Sequence, residues 1–183
     1  MSRLISTSLL AFPLLASVLC QAVSAADADP CTRFKWDVSR ERTVMQQTPQ
    51  AIAAAVKPGA AVPQLNVGTL YSLKLADEAG VRFAAGPAKA SHLAGARAGL
   101  AQFRLDKPGL YRVSIASGLW VDVVAGGQVL PAVDFQGHVG CERPHKIVEF
   151  DLPARRTLIL QFSGSSDAEV IIAITAVAAA AKS

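Results

Sequence analysis

The chain has 183 residues, with 18 Lys and Arg against 14 Asp and Glu, a formal charge of +4 and 51% hydrophobic residues. Its basic side chains are scattered rather than clustered, which argues for solubility and against the dense cationic footprint of a nucleic-acid binder. A chain of this length can bury its own core.

Part of the hydrophobicity sits at the start. Arg3 precedes an apolar run from Leu9 to Leu19 interrupted by Pro13 and Ser17, and the small residues Val23 and Ala25 stand at minus three and minus one for a cut before Ala26. That layout predicts a cleavable bacterial-type signal peptide over residues 1–25 and one domain over residues 26–183, about 158 residues long. The run is shorter than the ~20 apolar residues a membrane span requires, so no transmembrane span is expected in the mature chain. Cys20 raises a lipid anchor as the alternative, but Leu19 stands where a lipobox carries Gly, Ala or Ser. The expected location is the periplasm or the extracellular space. Removal of Cys20 with the leader would leave Cys31 and Cys141, and an oxidising compartment favours one bridge between them. It would close a loop of 110 residues, for which chain-entropy reasoning gives up to about 4.7 kcal/mol.

Beyond the leader the pattern is mostly period two between turn residues. Phe34, Trp36 and Val38 predict a half-buried strand, which Arg40 to Gln47 either extends or follows as a helical turn capped by Ser39. Ala51 to Val56 predicts a short helix ended by Lys57-Pro58-Gly59. Leu65, Val67, Thr69, Tyr71, Leu73 and Leu75 predict one strand of eleven residues. Ala84 to Gly99 is rich in Ala and Gly and predicts a long mobile loop. Ala101 to Leu105 and Tyr111 to Ile115 then form a hairpin around Asp106-Lys107-Pro108-Gly109. Leu119, Val121 and Val123 alternate with Trp120, Asp122 and Val124 before the Gly126-Gly127 turn, the mark of a central strand. Strands over Ile147–Leu152, Thr157–Phe162 and Val170–Val177 complete the set. Eight or nine short strands with one or two short helical turns near the N-terminus predict an all-β fold, an antiparallel, jelly-roll-like β-sandwich.

The hairpin residues Phe103, Leu105, Pro108, Gly109, Tyr111 and Val113, the Leu119–Val124 strand, and Phe150, Leu152, Pro153 and Ala154 together resemble the bacterial pre-peptidase C-terminal domain over residues 101–177. That resemblance implies a β-sandwich of a secreted, usually non-catalytic type that assists attached hydrolases in binding, secretion or solubility. These are packing and turn residues, so the likeness concerns architecture. No peptidase is attached in this chain, and some 75 residues precede the match.

Three groups of residues are candidates for chemistry. In Gly137-His138-Val139-Gly140-Cys141-Glu142-Arg143-Pro144-His145, His138, Cys141 and His145 have an H-x2-C-x3-H spacing with Glu142 nearby, a donor set suited to copper or zinc. A Cys31–Cys141 bridge would remove the thiolate and leave His138 and His145 in an ordinary loop. Trp120 and Asp122, two apart on one strand face, could form a sugar-binding or calcium-bearing platform. Against this, aromatic residues make up only 6% of the chain, which favours Trp120 in the core with Asp122 capping a turn or pairing with an arginine. A hydrolase would need His138 or His145 oriented by Asp122 or Asp134 beside an activated serine, yet Ser163-Gly164-Ser165 reads as a turn and not as a nucleophile elbow. No catalytic residue is singled out. The expected function is that of an exported non-catalytic binding or accessory protein, its partner another envelope protein or a glycan, with the loops at 84–99 and 133–145 as binding surface. A metal-binding envelope protein using His138 and His145 is the second expectation, and a small hydrolase or oxygenase the third.

Overall fold

The structure is a computed structural model that describes residues 29–89 and 92–177. The expected export signal, with Cys20, lies outside the described residues.

The chain enters through a single 3-10 turn, Pro30–Arg33, capped by the Asp29 carboxylate, which accepts from the Cys31 N–H (2.9 Å). An α-helix follows, α1 (Ser39–Met45), where the Asp37 carboxylate accepts from the Ser39 N–H (2.9 Å). The described residues then form twelve strands: β1 (Gln50–Ala53), β2 (Gln64–Leu65), β3 (Leu70–Lys74), β4 (Ala76–Asp77), β5 (Arg97–Arg104), β6 (Gly109–Ile115), β7 (Trp120–Ala125), β8 (Gln128–Leu130), β9 (Asp134–Gly137), β10 (Lys146–Leu152), β11 (Thr157–Ser165) and β12 (Glu169–Ala176). Sheet I has the order β1-β3-β12-β6-β10-β9, and sheet II the order β2-β5-β11-β7-β8, with β4 also on β5.

The all-β sandwich is as expected, but its sheets are mixed. β1 runs parallel to β3, and β2 parallel to β5. The chain leaves sheet I after β1, adds β2 to sheet II and returns as β3. A strand that returns after such an excursion arrives in its original direction, so adjacency becomes parallel.

Alternation fills the core as the sequence pattern indicates. Val113 and Ile115 of β6, Val121 and Val123 of β7, Val148 and Phe150 of β10, Leu160 and Phe162 of β11, and Ile172 and Ile174 of β12 meet between the sheets. The β7–β8 hairpin turns on Gly126 and Gly127 at φ 60° and 79°. Both are left-handed, as a two-residue turn matched to strand twist requires.

Four local expectations are corrected. Phe34 to Val38 is not a strand: Lys35 donates its N–H to the Gln136 side chain (2.9 Å), and Phe34 and Val38 bury themselves against Ile147 and Cys141. Ala51–Val56 is not a helix but contains most of β1, because cross-strand pairing with β3 outweighs the helix propensity of alanine. The predicted eleven-residue strand is broken at Asn66–Thr69 into β2 and β3, in different sheets. Leu65, Tyr71, Leu73 and Leu75 still share one core, since both sheets face it. Finally, the Ala84–Gly99 loop ends at β5, which begins at Arg97, and its first part is hydrogen-bonded to sheet II.

The outer face of sheet I is covered by the N-terminal segment. Val44 and Met45 of α1 pack on Leu70 and Ala173. One polar row, Glu149, Arg112 and Thr175, crosses β10, β6 and β12 in register beneath α1. Arg112 donates from Nε to Glu149 (2.9 Å), from Nη1 to the Asp37 carbonyl (2.8 Å) and from Nη1 to Glu41 (3.5 Å). Thr175 donates to the other Glu41 oxygen (2.7 Å), and the guanidinium lies 4.7 Å from the Trp36 ring centroid. All four polar side chains are buried. The Cys31–Cys141 disulfide fastens the same segment to the loop before β10 (Cα–Cα 4.9 Å).

Candidate functional site

The outer face of sheet II is covered differently, by the loop after residue 81, and there the structure places the aromatic of interest. Strand parity sends Val121 and Val123 inward and Trp120 and Asp122 outward. Trp120 is therefore half-buried on the outer face and not in the core. Asp122 neither caps a turn nor pairs with an arginine. Its Oδ1 accepts from the Trp120 indole N–H (2.7 Å), and its Oδ2 from the Ala88 N–H (3.1 Å) and the Gln161 amide (3.2 Å). Gln161, directly opposite Asp122 on β11, also exchanges bonds with the Ala85 backbone (3.2 and 3.3 Å). A buried carboxylate with three donors is well satisfied. Its effect is to hold the indole in one orientation and to dock the loop against the sheet.

Two ammonium groups converge on that indole. The Nζ atoms of Lys89 and Lys146 lie 5.6 and 5.0 Å from the Trp120 ring centroid, within cation–π range. Lys146 opens β10 with the same parity as Val148 and Phe150, so its stem points into the end of the sandwich. The ammonium reaches across to the Leu119 carbonyl (3.2 Å). Burial lowers the Lys146 pKa from its ordinary value; the positive charge of Lys89 lowers it further, while Asp122 acts in the opposite direction.

Trp120 and Lys146 form a shared wall of two cavities. The larger, about 370 Å³, is also bounded by Lys89, His92, Leu119 and Ser163. The smaller, about 110 Å³, is apolar and lies between the edges of the two sheets, bounded by Val129, Leu130, Val148 and Phe135 among others. Phe135 is opposite Val148 in register but lies on edge strand β9 and is 63% exposed. The two loops expected to form a binding surface do meet here: Ala88, Lys89, His92 and Leu93 from one and Phe135 from the other.

No protein family, curated protein or solved structure matches this chain.

The histidine cluster is arranged otherwise. The sulfur of Cys141 is bonded to that of Cys31 and provides no thiolate. His138 packs its ring edge-on to Phe34, centroids 4.6 Å apart, and its Nε2 is buried without a hydrogen-bond partner. His145 is fixed through its backbone, donating to Ile115 (2.9 Å) and accepting from the His138 N–H (3.1 Å), and Glu142 is exposed. Among the described residues no three His, Cys, Asp or Glu side chains converge as a metal-binding group. Asp134 pairs with Lys35, and Asp122 is bound as described. Lys89 and Lys146 were not foreseen. Their signal is faint: Lys146 heads an alternating strand at an inward-parity position, where a cation must surface at the sandwich's end.

Proposed function

We propose that this chain is an exported, non-catalytic binding or accessory protein of the bacterial envelope, with its ligand surface at Trp120. The observation that carries the reading is the indole, held by Asp122 on the outer face as a wall common to two cavities. Aromatic walls fixed by a few placed polar groups are the usual construction of small-ligand sites. The leader pattern supports export, and a disulfide that closes a long loop suits an oxidising compartment. The resemblance of residues 101–177 to pre-peptidase C-terminal domains, which are usually non-catalytic modules, points the same way.

Two measurements test the proposal. N-terminal sequencing of protein recovered from the periplasm or medium is expected to begin at Ala26; full-length protein found only in the cytosol refutes the export half. A thermal-shift screen with small envelope-type ligands is expected to give stabilising compounds whose effect is lost in Trp120→Ala. Compounds that stabilise both proteins equally place the ligand surface elsewhere.

A further inference from the structure

Resting on that assignment of the site, we propose that the Trp120 cavity takes a small organic anion: an acidic head between Lys89 and Lys146 and an apolar body against Trp120. Three observations carry it. The first is uncompensated charge. Neither Lys89 nor Lys146 has a carboxylate within ion-pair distance among the described residues, and the nearby Asp122 has both oxygens engaged by the indole, a backbone amide and Gln161. Two ammonium groups on one ring repel each other, and the lowered pKa of the half-buried Lys146 reflects its desolvation first and that repulsion second. An anion placed between them relieves both costs.

The second is an unused hydroxyl. Ser163 stands opposite Trp120 in the β11–β7 register, on the outer face, and bounds the larger cavity. It is 2% exposed, and among the described residues its side chain makes no hydrogen bond. A hydroxyl so placed is a donor for a ligand oxygen. The third is apolar surface. Leu93, Leu119 and Trp120 bound the larger cavity itself, and on the other side of Trp120 and Lys146 the smaller cavity is walled by Val129, Leu130 and Val148, with the exposed Phe135 beside it. A head that answers the lysines and a body that answers these side chains define an amphipathic acid. A bare inorganic ion would leave the apolar wall wet, and a neutral sugar would leave the charge unanswered.

The test uses one tail and several heads: octanoate, octyl phosphate, octyl glucoside and octyltrimethylammonium, below their micelle concentrations, with acetate as the head alone. Calorimetric titration of the mature protein is expected to show at least one octyl acid binding about tenfold or more tighter than octyl glucoside, octyltrimethylammonium and acetate. The tighter acid identifies the head. Lys89→Gln and Lys146→Gln are each expected to weaken that acid about tenfold, as loss of a charge-assisted hydrogen bond does, with little effect on octyl glucoside. Lys89 is exposed on the loop, so its variant keeps the fold even if Lys146→Gln does not. If glucoside or ammonium binds as well as the acids while Trp120→Ala abolishes all binding, the acid preference is wrong and the site stands. If Trp120→Ala binds every probe unchanged, or no probe binds at millimolar concentration, the assignment of the site falls with it.

Discussion

Replacing Arg112 by Met tests the buried clamp under α1. The guanidinium answers Glu149, Glu41 and the Asp37 carbonyl at once, and it lies against Trp36. Methionine keeps most of the stem's volume and removes the charge, so two buried carboxylates face each other with no cation. Removing one partner from a buried ion pair costs about 3–5 kcal/mol, a large share of the roughly 5–15 kcal/mol that holds a domain together. Glu41→Gln is expected to cost far less, about 1 kcal/mol. It deletes only the long 3.5 Å contact, leaves Arg112 and Glu149 as a neutral pair and retains an acceptor for Thr175. The assay is urea unfolding, compared at constant m-value. A cost below about 1 kcal/mol for Arg112→Met, or a Glu41→Gln cost equal to it, would refute this account of the clamp.

Other consequences follow from the same geometry. Cys31→Ser with Cys141→Ser should lower unfolding free energy by about 2–5 kcal/mol by releasing a loop of 110 residues; thiol titration of the unfolded, unreduced wild type should find no free thiol on Cys31 or Cys141. Gly99→Ala should cost about 1–3 kcal/mol, because its Cβ would lie 2.4 Å from that of Ala54, and Ala54→Gly in the same chain should recover much of the loss in a thermal melt. The carboxyls of Asp29, Asp37 and Asp134 are held below their ordinary value of 3.8, chiefly by the Cys31 N–H, the Ser39 hydroxyl and the Lys35 ammonium respectively. Their stabilisation is present above that value and is lost as pH falls through the folded pKa. The triple Asp→Asn variant should therefore melt below wild type near neutrality and converge with it in acid; a gap that persists below the folded values would contradict this.

Local regularities in the chain were enough for the β-sandwich and much of its core. Val113 and Phe150 alternate with polar neighbours, and the alternation survives in the fold because a strand with one buried face has little choice of register. The Gly126-Gly127 turn is equally local. What parity alone could not decide was the fate of the outward set. By parity Arg112, Glu149 and Thr175 point away from the core between the sheets, yet they are buried because α1 and the Cys31 bridge lie over sheet I. Trp120 is not in the core, because its strand pairs with β11, which sets Asp122 opposite Gln161 and draws the loop at Ala85 and Ala88 down beside the indole. Lys89 and Lys146 are 57 residues apart in sequence, and only the packing of that loop and the far end of sheet I onto one ring brings their charges together. A pattern of period two specifies which face a side chain takes; which segment later covers that face depends on contacts between residues far apart along the chain.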